Sequence, residues 1–181
     1  MADLILPLAP DHHMPAGARE PGEADSVWDL IELLFFAYRD FISDPDDVLE
    51  KFGFGRAHHR VLHFVNRNPG MKVAELLDIL RITKQSLGRV LKQLVDEDYV
   101  LQKAGPQDRR QRLLYLTAKG EALALRLAGL QKARIGRALA ELGPNAQADA
   151  CRFLAAMINS DNRAAVLRFI ARADRSRRQH G

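Results

Sequence analysis

Residues 73–117 have the sequence VAELLDILRITKQSLGRVLKQLVDEDYVLQKAGPQDRRQRLLYLT, and this stretch decides the fold. Two short helical patterns come first and meet at Arg81-Ile82-Thr83. Two apolar-rich segments follow, Tyr99–Lys103 and 112–116, and they have the composition of β-strands. Between them lies the segment Gly105-Pro106-Gln107-Asp108-Arg109-Arg110, whose Gly-Pro pair favours a turn over a helix. This order predicts a mainly α fold with a small β-hairpin wing, that is, a winged helix-turn-helix.

Each of the two short helices has an apolar side and a polar side. Thr83 is a good N-cap for the second helix, which begins at Lys84. The side chains expected inside are Leu76, Leu77 and Leu80 of the first helix and Leu87, Val90, Leu91, Leu94 and Val95 of the second. The side chains left for solvent or DNA are Lys84, Gln85, Ser86, Arg89, Lys92 and Gln93. Gln and Arg hydrogen-bond base edges in the major groove, whereas Lys, Ser and the helix N-terminus suit phosphates.

The positive charge of the chain is concentrated in the same stretch. The whole sequence has 27 Lys and Arg against 23 Asp and Glu, a net charge of +4. Residues 81–112 alone hold eight basic and four acidic residues, also +4, so the remainder sums to zero. At the hairpin, Arg109 and Arg110 suit the minor groove or the backbone, Arg112 is a further candidate for DNA binding, and Asp108 is expected to orient a neighbouring arginine. The alternative is an ordinary solvated surface, so charge alone does not establish DNA binding.

The remaining sequence predicts an arm and long amphipathic helices. Residues 1–23 are rich in proline and without periodicity, which indicates a flexible N-terminal arm. An amphipathic helix is expected from Asp25, capped by Asp25 or Ser26 and ended by Ser43-Asp44-Pro45. The predicted domains are 1–23 (arm), 24–52 (N-terminal dimerisation helix), 53–117 (winged domain) and 118–181 (C-terminal dimerisation helices with a basic tail). A two-fold homodimer is expected, since one small domain cannot easily bury all these apolar stripes.

Composition excludes several other classes of protein. No apolar run approaches the roughly 18 to 20 residues of a membrane helix, so no membrane partner is expected. The single cysteine, Cys151, fits a reducing compartment, which predicts a cytoplasmic protein. No Gly-rich phosphate loop, Ser-His-Asp set or complete metal triad appears, so an enzyme is not favoured. The alternatives kept beside specific DNA binding are a winged-helix module that binds proteins and a non-specific architectural DNA-binding protein.

The chain resembles the MarR family of bacterial winged-helix regulators. The matching segments are Ala74-Glu75-Leu76, Thr83-Lys84-Gln85-Ser86-Leu87, Asp108-Arg109-Arg110 and Leu116-Thr117-Ala118-Lys119-Gly120. Within the family it looks most like an alphaproteobacterial branch labelled PetP. The resemblance implies a dimer on a pseudo-palindromic operator, commonly a repressor, with a ligand or oxidation altering the spacing of its two DNA-binding domains. Arg81 stands where many members carry glycine, so the turn is expected to avoid a left-handed residue there.

The candidates for a sensor are less well defined, and no cofactor is required. His59 and His63 share a helix face and suit two ligands of a metal or haem site, but a third ligand is not evident. Cys151 is a candidate for thiol oxidation, because a position near a helix start favours the thiolate. An apolar ligand pocket is expected from Trp28, Phe35, Phe36 and Phe54, with His58 or Arg60 as polar anchor. For each group the alternative is an ordinary core or dimer contact.

Overall fold

The computed structural model describes the backbone of residues 27–178 and the side chains of residues 27–174. Its elements are α1 (Trp28–Glu50), α2 (Arg56–Arg67), β1 (Met71–Lys72), α3 (Val73–Leu80), α4 (Lys84–Asp96), β2 (Val100–Ala104), β3 (Arg112–Leu116), α5 (Ala118–Leu142), α6 (Ala146–Met157) and α7 (Ser160–Arg178). The fold is mainly helical with one small antiparallel sheet, as the sequence predicts. The arm 1–23 and the expected caps Asp25 and Ser26 lie outside the described residues.

Helix α1 does not end at Pro45, so the predicted boundary at Ser43-Asp44-Pro45 is wrong. The helix continues to Glu50 with Pro45 inside it. A proline in a helix removes one backbone hydrogen bond, which destabilises an isolated helix. Here Pro45 is buried, and the following turn places Val48 and Leu49 in the core, with Leu49 fully buried. Burial of these side chains offsets the missing bond.

The winged domain encloses one hydrophobic core. Helices α2, α3 and α4 cover a sheet of strand order β1-β3-β2. The hairpin β2–β3 has the expected position, with Val100 opposite Leu116 and Ala104 opposite Arg112. The two-residue strand β1, which the sequence did not predict, adds the third strand by pairing Lys72 with Leu113. The fully buried side chains of this core include Leu62, Leu76, Leu94, Leu114 and Leu127.

The turn between α3 and α4 contains a left-handed residue, contrary to the expectation from the sequence. Arg81 has φ 53° and ψ 39°, and its N–H donates to the carbonyl of Leu77 at 3.0 Å. A left-handed residue is the usual way to end a helix and redirect the chain, and it normally is glycine. This chain keeps the same turn geometry and places an arginine in it, at a conformational cost.

The junction between the wing and α5 is tightly packed. Thr117 caps α5 by accepting from the N–H of Gly120 at 3.0 Å, and its hydroxyl donates to the carbonyl of Asp98 at 2.7 Å. A Cβ atom on Gly120 would lie 2.0 Å from the carbonyl oxygen of Tyr99. Only glycine fits there, which explains the Thr-Ala-Lys-Gly sequence at the start of α5.

Helices α1, α5, α6 and α7 extend beyond the winged domain and leave large apolar side chains exposed. These side chains include Trp28, Leu30, Leu33, Phe35 and Phe36 of α1, Leu125, Ile135 and Leu142 of α5, Phe153, Leu154 and Met157 of α6, and Leu167 and Ile170 of α7. Among the described residues no helix is long and apolar enough to cross a membrane.

Candidate nucleic-acid interface

The N-terminus of α4 is fixed by a side-chain cap. The hydroxyl oxygen of Thr83 accepts from the N–H of Ser86 at 3.1 Å, and the Thr83 hydroxyl donates to the Ser86 hydroxyl at 2.9 Å. A capped helix start holds the remaining N–H groups in place, where they favour anions. The helix therefore presents an ordered anion-binding end to solvent.

The polar side of α4 is largely exposed, as predicted. The side chains of Lys84, Gln85, Ser86, Arg89 and Lys92 are all exposed. Lys92 pairs with Asp96 one turn later. Exposed long side chains at the start of a helix are able to enter a major groove, which is about 12 Å wide. We refer to these five residues, together with Arg109, Arg110 and Arg112, as the basic face.

Two residues of α4 depart from their expected environment. Gln93, expected to face solvent or DNA, turns inward, and its Oε1 accepts from Nε2 of His58 at 2.9 Å. Val95, expected to be buried, is 37% exposed. It lines the open groove between α4 and the wing.

The wing tip is held by hydrogen bonds within the loop. Asp108 Oδ1 accepts from the backbone N–H of Arg110 at 2.9 Å. Gly105 donates to the carbonyl of Gln111 at 3.0 Å, and Gln111 donates to the carbonyl of Asp108 at 3.1 Å. A Cβ atom on Gly105 would lie 2.8 Å from that Asp108 oxygen, so the tip requires glycine. Asp108 thus orders the backbone at Arg110, not the guanidinium as the sequence suggested.

The structure brings the wing and α4 to opposite sides of one groove of about 1090 Å³. Its polar border includes Lys84 and Lys92 of α4 and Arg110 and Arg112 of the wing. Four further polar residues, Lys72, Asp96, Gln102 and Gln111, also line the groove but were not among the predicted DNA contacts. Lys72 was missed because it lies in β1, a strand too short to leave a pattern in the sequence. Arg109 is exposed at the tip.

The six residues predicted to form a ligand pocket do not all lie together within a single chain. Phe54 is buried and stacks on His58 with ring centroids 4.8 Å apart. His58 Nδ1 accepts from the backbone N–H of Gly55 at 3.1 Å, so Nε2 carries the proton that is donated to Gln93. Trp28, Phe35 and Phe36 lie on the outer half of α1 and are 68%, 69% and 54% exposed.

A different pocket, of about 180 Å³, lies between α1, α2 and α5. Its lining residues include Tyr38, Arg56, His59, Arg60, His63 and Gln131. Arg60 donates to the hydroxyl of Tyr38 at 3.2 Å. Burial lowers the pKa of His59, with Asp46 acting in the opposite direction, so the imidazole favours the neutral form. The pocket therefore combines cationic guanidinium groups with a neutral, buried imidazole.

In the described part of the chain, the predicted metal site has no third ligand, and the predicted redox cysteine does not lie at a helix start. His59 and His63 line the same pocket, but residues 27–174 contain no group of three His, Cys, Asp or Glu that fits a metal ion. Cys151 is a free, exposed thiol and is the sixth residue of α6, which begins at Ala146. The helix dipole acts mainly within the first turn, so Cys151 is not at the helix start that was expected.

Comparisons with known proteins agree with this architecture. A model described as MarR family matches residues 52–111. The chain is 46% identical over 129 residues to the HTH-type transcriptional regulator PetP of Rhodobacter capsulatus, covering 71% of this chain and 78% of the relative.

Solved structures also share the fold, and two of them are informative. Streptococcus pneumoniae FabT in complex with DNA has a TM-score of 0.63 at 17% identity, covering 71% of this chain and 92% of that chain. The Mycobacterium tuberculosis MarR family protein Rv2887 in complex with p-aminosalicylic acid has a TM-score of 0.51 at 28% identity, covering 69% and 95%.

Proposed function

The chain belongs to the MarR family of HTH-type transcriptional regulators, and we infer that it binds a pseudo-palindromic operator as a homodimer and represses transcription there. The observation that carries this inference is the pairing of the capped helix α4 with the ordered wing tip across one groove. Both elements lie within residues 81–112, whose net charge of +4 equals that of the whole sequence.

Each part of the basic face has a distinct role in this function. Gln85 and Arg89 contact base edges in the major groove, because amide and guanidinium groups match the donor and acceptor patterns there. Lys84 and Ser86 bind phosphates at the helix N-terminus. Arg109 and Arg110 bind the minor groove or the backbone, where the negative potential is concentrated. Base preference therefore depends on α4, and much of the salt-dependent affinity depends on the wing.

Dimerisation is supported by the apolar surfaces of the terminal helices. Trp28, Phe35 and Phe36 are each more than half exposed on α1, and Phe153 and Leu154 are half exposed on α6. Clusters of exposed large apolar side chains mark interaction surfaces in many proteins. A two-fold partner covers the same patch on both chains and sets the distance between the two α4 helices.

The effector is a small aromatic anion that binds the pocket between α1, α2 and α5. Arg60 supplies positive charge, Tyr38 a hydroxyl, and Phe41 and Phe64 apolar contacts, whereas the charge of Arg56 is paired with Asp46. Rv2887, whose solved structure contains p-aminosalicylic acid, is a MarR family protein. The pocket adjoins α1 and the winged domain, so a ligand there alters the orientation of the winged domain and with it the spacing of the two α4 helices.

Two substitutions test the DNA contacts. Arg110→Ala should weaken operator binding and lower its salt dependence by about 0.9 in the slope of log K against log salt for each phosphate that the protein no longer neutralises. Arg126→Ala on α5, which also removes one exposed arginine, is the matched control and should change the slope little. Gln85→Ala should instead reduce base preference and leave binding to unrelated DNA nearly intact.

These measurements use fluorescence anisotropy with operator and unrelated duplexes at several salt concentrations. Equal effects of Arg110→Ala and Arg126→Ala on the salt slope would show that the wing does not contact DNA. Equal wild-type affinity for both duplexes would favour an architectural protein, and no affinity for either would favour a protein-binding module.

A further inference from the structure

One row of polar side chains along α4 is exposed at its start and bonded to α2 near its end. Gln85, Arg89 and Gln93 are four residues apart, so they lie in one row on the helix surface. The side chains of Gln85 and Arg89 are exposed. Gln93 is half-buried, and its Oε1 accepts from Nε2 of His58 on α2 at 2.9 Å. The end that is free to contact bases and the end that is bonded to α2 are about 12 Å apart along the helix axis.

Both nitrogen atoms of the His58 imidazole have a partner. Nδ1 accepts from the N–H of Gly55, the N-cap of α2, at 3.1 Å, which leaves the proton on Nε2 for Gln93. The imidazole also stacks on the buried ring of Phe54, with centroids 4.8 Å apart. Because the other nitrogen and one face of the imidazole are held, the direction of the bond from Nε2 is fixed. His58 therefore defines where Gln93 lies relative to α2.

Further contacts join Gln93 to the C-terminal end of α4 and to α5. Gln93 Nε2 donates to the carboxylate of Glu97 at 2.9 Å, and the carbonyl of Glu97 accepts from Nζ of Lys119 at 2.8 Å. That ammonium group lies 4.1 Å from the centroid of the Tyr99 ring, which packs edge-on against Phe54 with centroids 5.1 Å apart. We call this closed set of contacts the His58 network, and its members are Phe54, His58, Gln93, Glu97, Tyr99 and Lys119.

The His58 network restricts rotation of α4 about its own axis. The apolar residues of α4 hold it in the core, but hydrophobic attraction has no preferred direction. Hydrogen bonds are directional and weaken steeply when donor and acceptor are misaligned. A small rotation of α4 therefore breaks the bond between His58 and Gln93, and it displaces Gln85 and Arg89 in the same direction. The bond holds α4 in the orientation in which these two side chains face outward.

We propose that His58 is a positioning residue that sets the orientation of α4 on DNA and thereby contributes to base preference, without a DNA contact of its own. This proposal rests on the operator binding inferred above. His58 acts through Gln85 and Arg89, whose contacts to base edges depend on alignment. Loss of the bond between His58 and Gln93 removes no phosphate contact. It therefore lowers affinity for the operator and leaves sequence-independent binding unchanged.

The test is a double-mutant cycle across His58 and Gln93 in the full-length protein. His58→Phe keeps a ring that stacks on Phe54 and removes the donor. Gln93→Met keeps an unbranched side chain and removes the acceptor, and a third variant combines both changes. Asn68→Ala is the matched control, because it removes a hydrogen bond to the carbonyl of Phe64, 3.1 Å long, at the opposite end of α2. Circular dichroism and urea unfolding measure the fold and the stability of each variant.

Affinities for operator and unrelated duplexes are measured by fluorescence anisotropy at several salt concentrations. We expect His58→Phe and Gln93→Met each to lower operator affinity by about two- to tenfold, the range typical of one hydrogen bond. The combined variant should lose no more than the weaker-binding single variant. Affinity for unrelated DNA and the salt slope should match the wild type. Asn68→Ala should lower stability and leave both affinities unchanged.

His58→Gln is the conservative variant that separates positioning of α4 from general destabilisation. A glutamine at the third helical position accepts from the N–H of the N-cap, as in a capping box, and its amide N–H group remains to donate to Gln93. It should bind the operator like the wild type even where its free energy of unfolding is lower. If His58→Phe does not fold, Gln93→Met and His58→Gln provide the same comparison.

Unchanged operator affinity of Gln93→Met would overturn the proposal, and so would additive losses in the cycle or an equal loss for Asn68→Ala. Equal losses for operator and unrelated DNA would also overturn it, as would His58→Gln binding the operator as weakly as Gln93→Met. None of these results would affect the inferred operator binding, which fails only if the wild type does not prefer its operator.

Discussion

Replacing Arg81 by glycine should stabilise the protein. Arg81 holds a left-handed conformation, with φ 53° and ψ 39°, at the end of α3. For a residue with a Cβ atom this conformation costs roughly 1–2 kcal/mol, whereas glycine adopts it freely. Glycine also increases the entropy of the unfolded chain, which offsets about 0.4–1 kcal/mol of the gain. We therefore expect Arg81→Gly to raise the free energy of unfolding by about 0.5–1 kcal/mol.

The assay is urea and thermal unfolding at one fixed protein concentration, because the stability of a dimer depends on concentration. For a chain of this length the gain corresponds to a rise in Tm of about 1–4 °C. Arg81→Ala is the control, since it removes the same exposed side chain but keeps the left-handed cost. If Arg81→Gly is no more stable than Arg81→Ala, the backbone at this turn is not left-handed in solution, and the described geometry is wrong.

Two further predictions concern stability. Gly120→Ala should destabilise the fold by at least about 3 kcal/mol in urea unfolding, because its Cβ would lie 2.0 Å from the Tyr99 carbonyl oxygen and no rotamer relieves that contact. Gly129→Ala on the same helix has open space around its Cβ and should be neutral or stabilising by up to about 1 kcal/mol, so similar destabilisation by both would contradict the tight junction.

His59 should make stability depend on pH, because burial lowers its pKa below the ordinary value of 6.5. The unfolded state then binds the proton more readily, so the contribution is present above about pH 6.5 and is lost as the pH falls. His59→Gln should show a shallower decline between about pH 7 and 5, and an unchanged decline would exclude His59 as its source.

Local patterns predicted α4 and the hairpin because both are determined by neighbouring residues. The apolar spacing of α4 and its Thr83 cap are visible in a single turn of sequence, and the Gly-Pro pair marks the hairpin tip. Predictions from local sequence were wrong where contacts between distant residues determine the structure. Helix α1 passes through Pro45 because Val48 and Leu49 reach a core formed by other helices.

Hydrogen bonds and ion pairs between residues distant in sequence also determine which polar side chains remain available for DNA. Gln93 is half-buried because it forms a hydrogen bond with His58. His58 lies 35 residues earlier in the chain, so the local sequence does not indicate this contact. The Arg67–Asp174 pair joins residues 107 positions apart, and nothing in the local sequence of either residue indicates it. Trp28, Phe35 and Phe36 were predicted to line a pocket with Phe54, but in the single chain they are exposed on α1 whereas Phe54 is buried. Composition alone does not determine which residues these side chains contact.

Two α4 helices of a homodimer are proposed to bind one operator, and selection of bound DNA from a random duplex pool tests this arrangement most directly. The wild type should enrich an inverted repeat whose half-site centres lie about one helical turn, ~10 base pairs, apart. Enrichment of a single unrepeated motif, or of no sequence at all, would contradict the binding of one operator by two α4 helices.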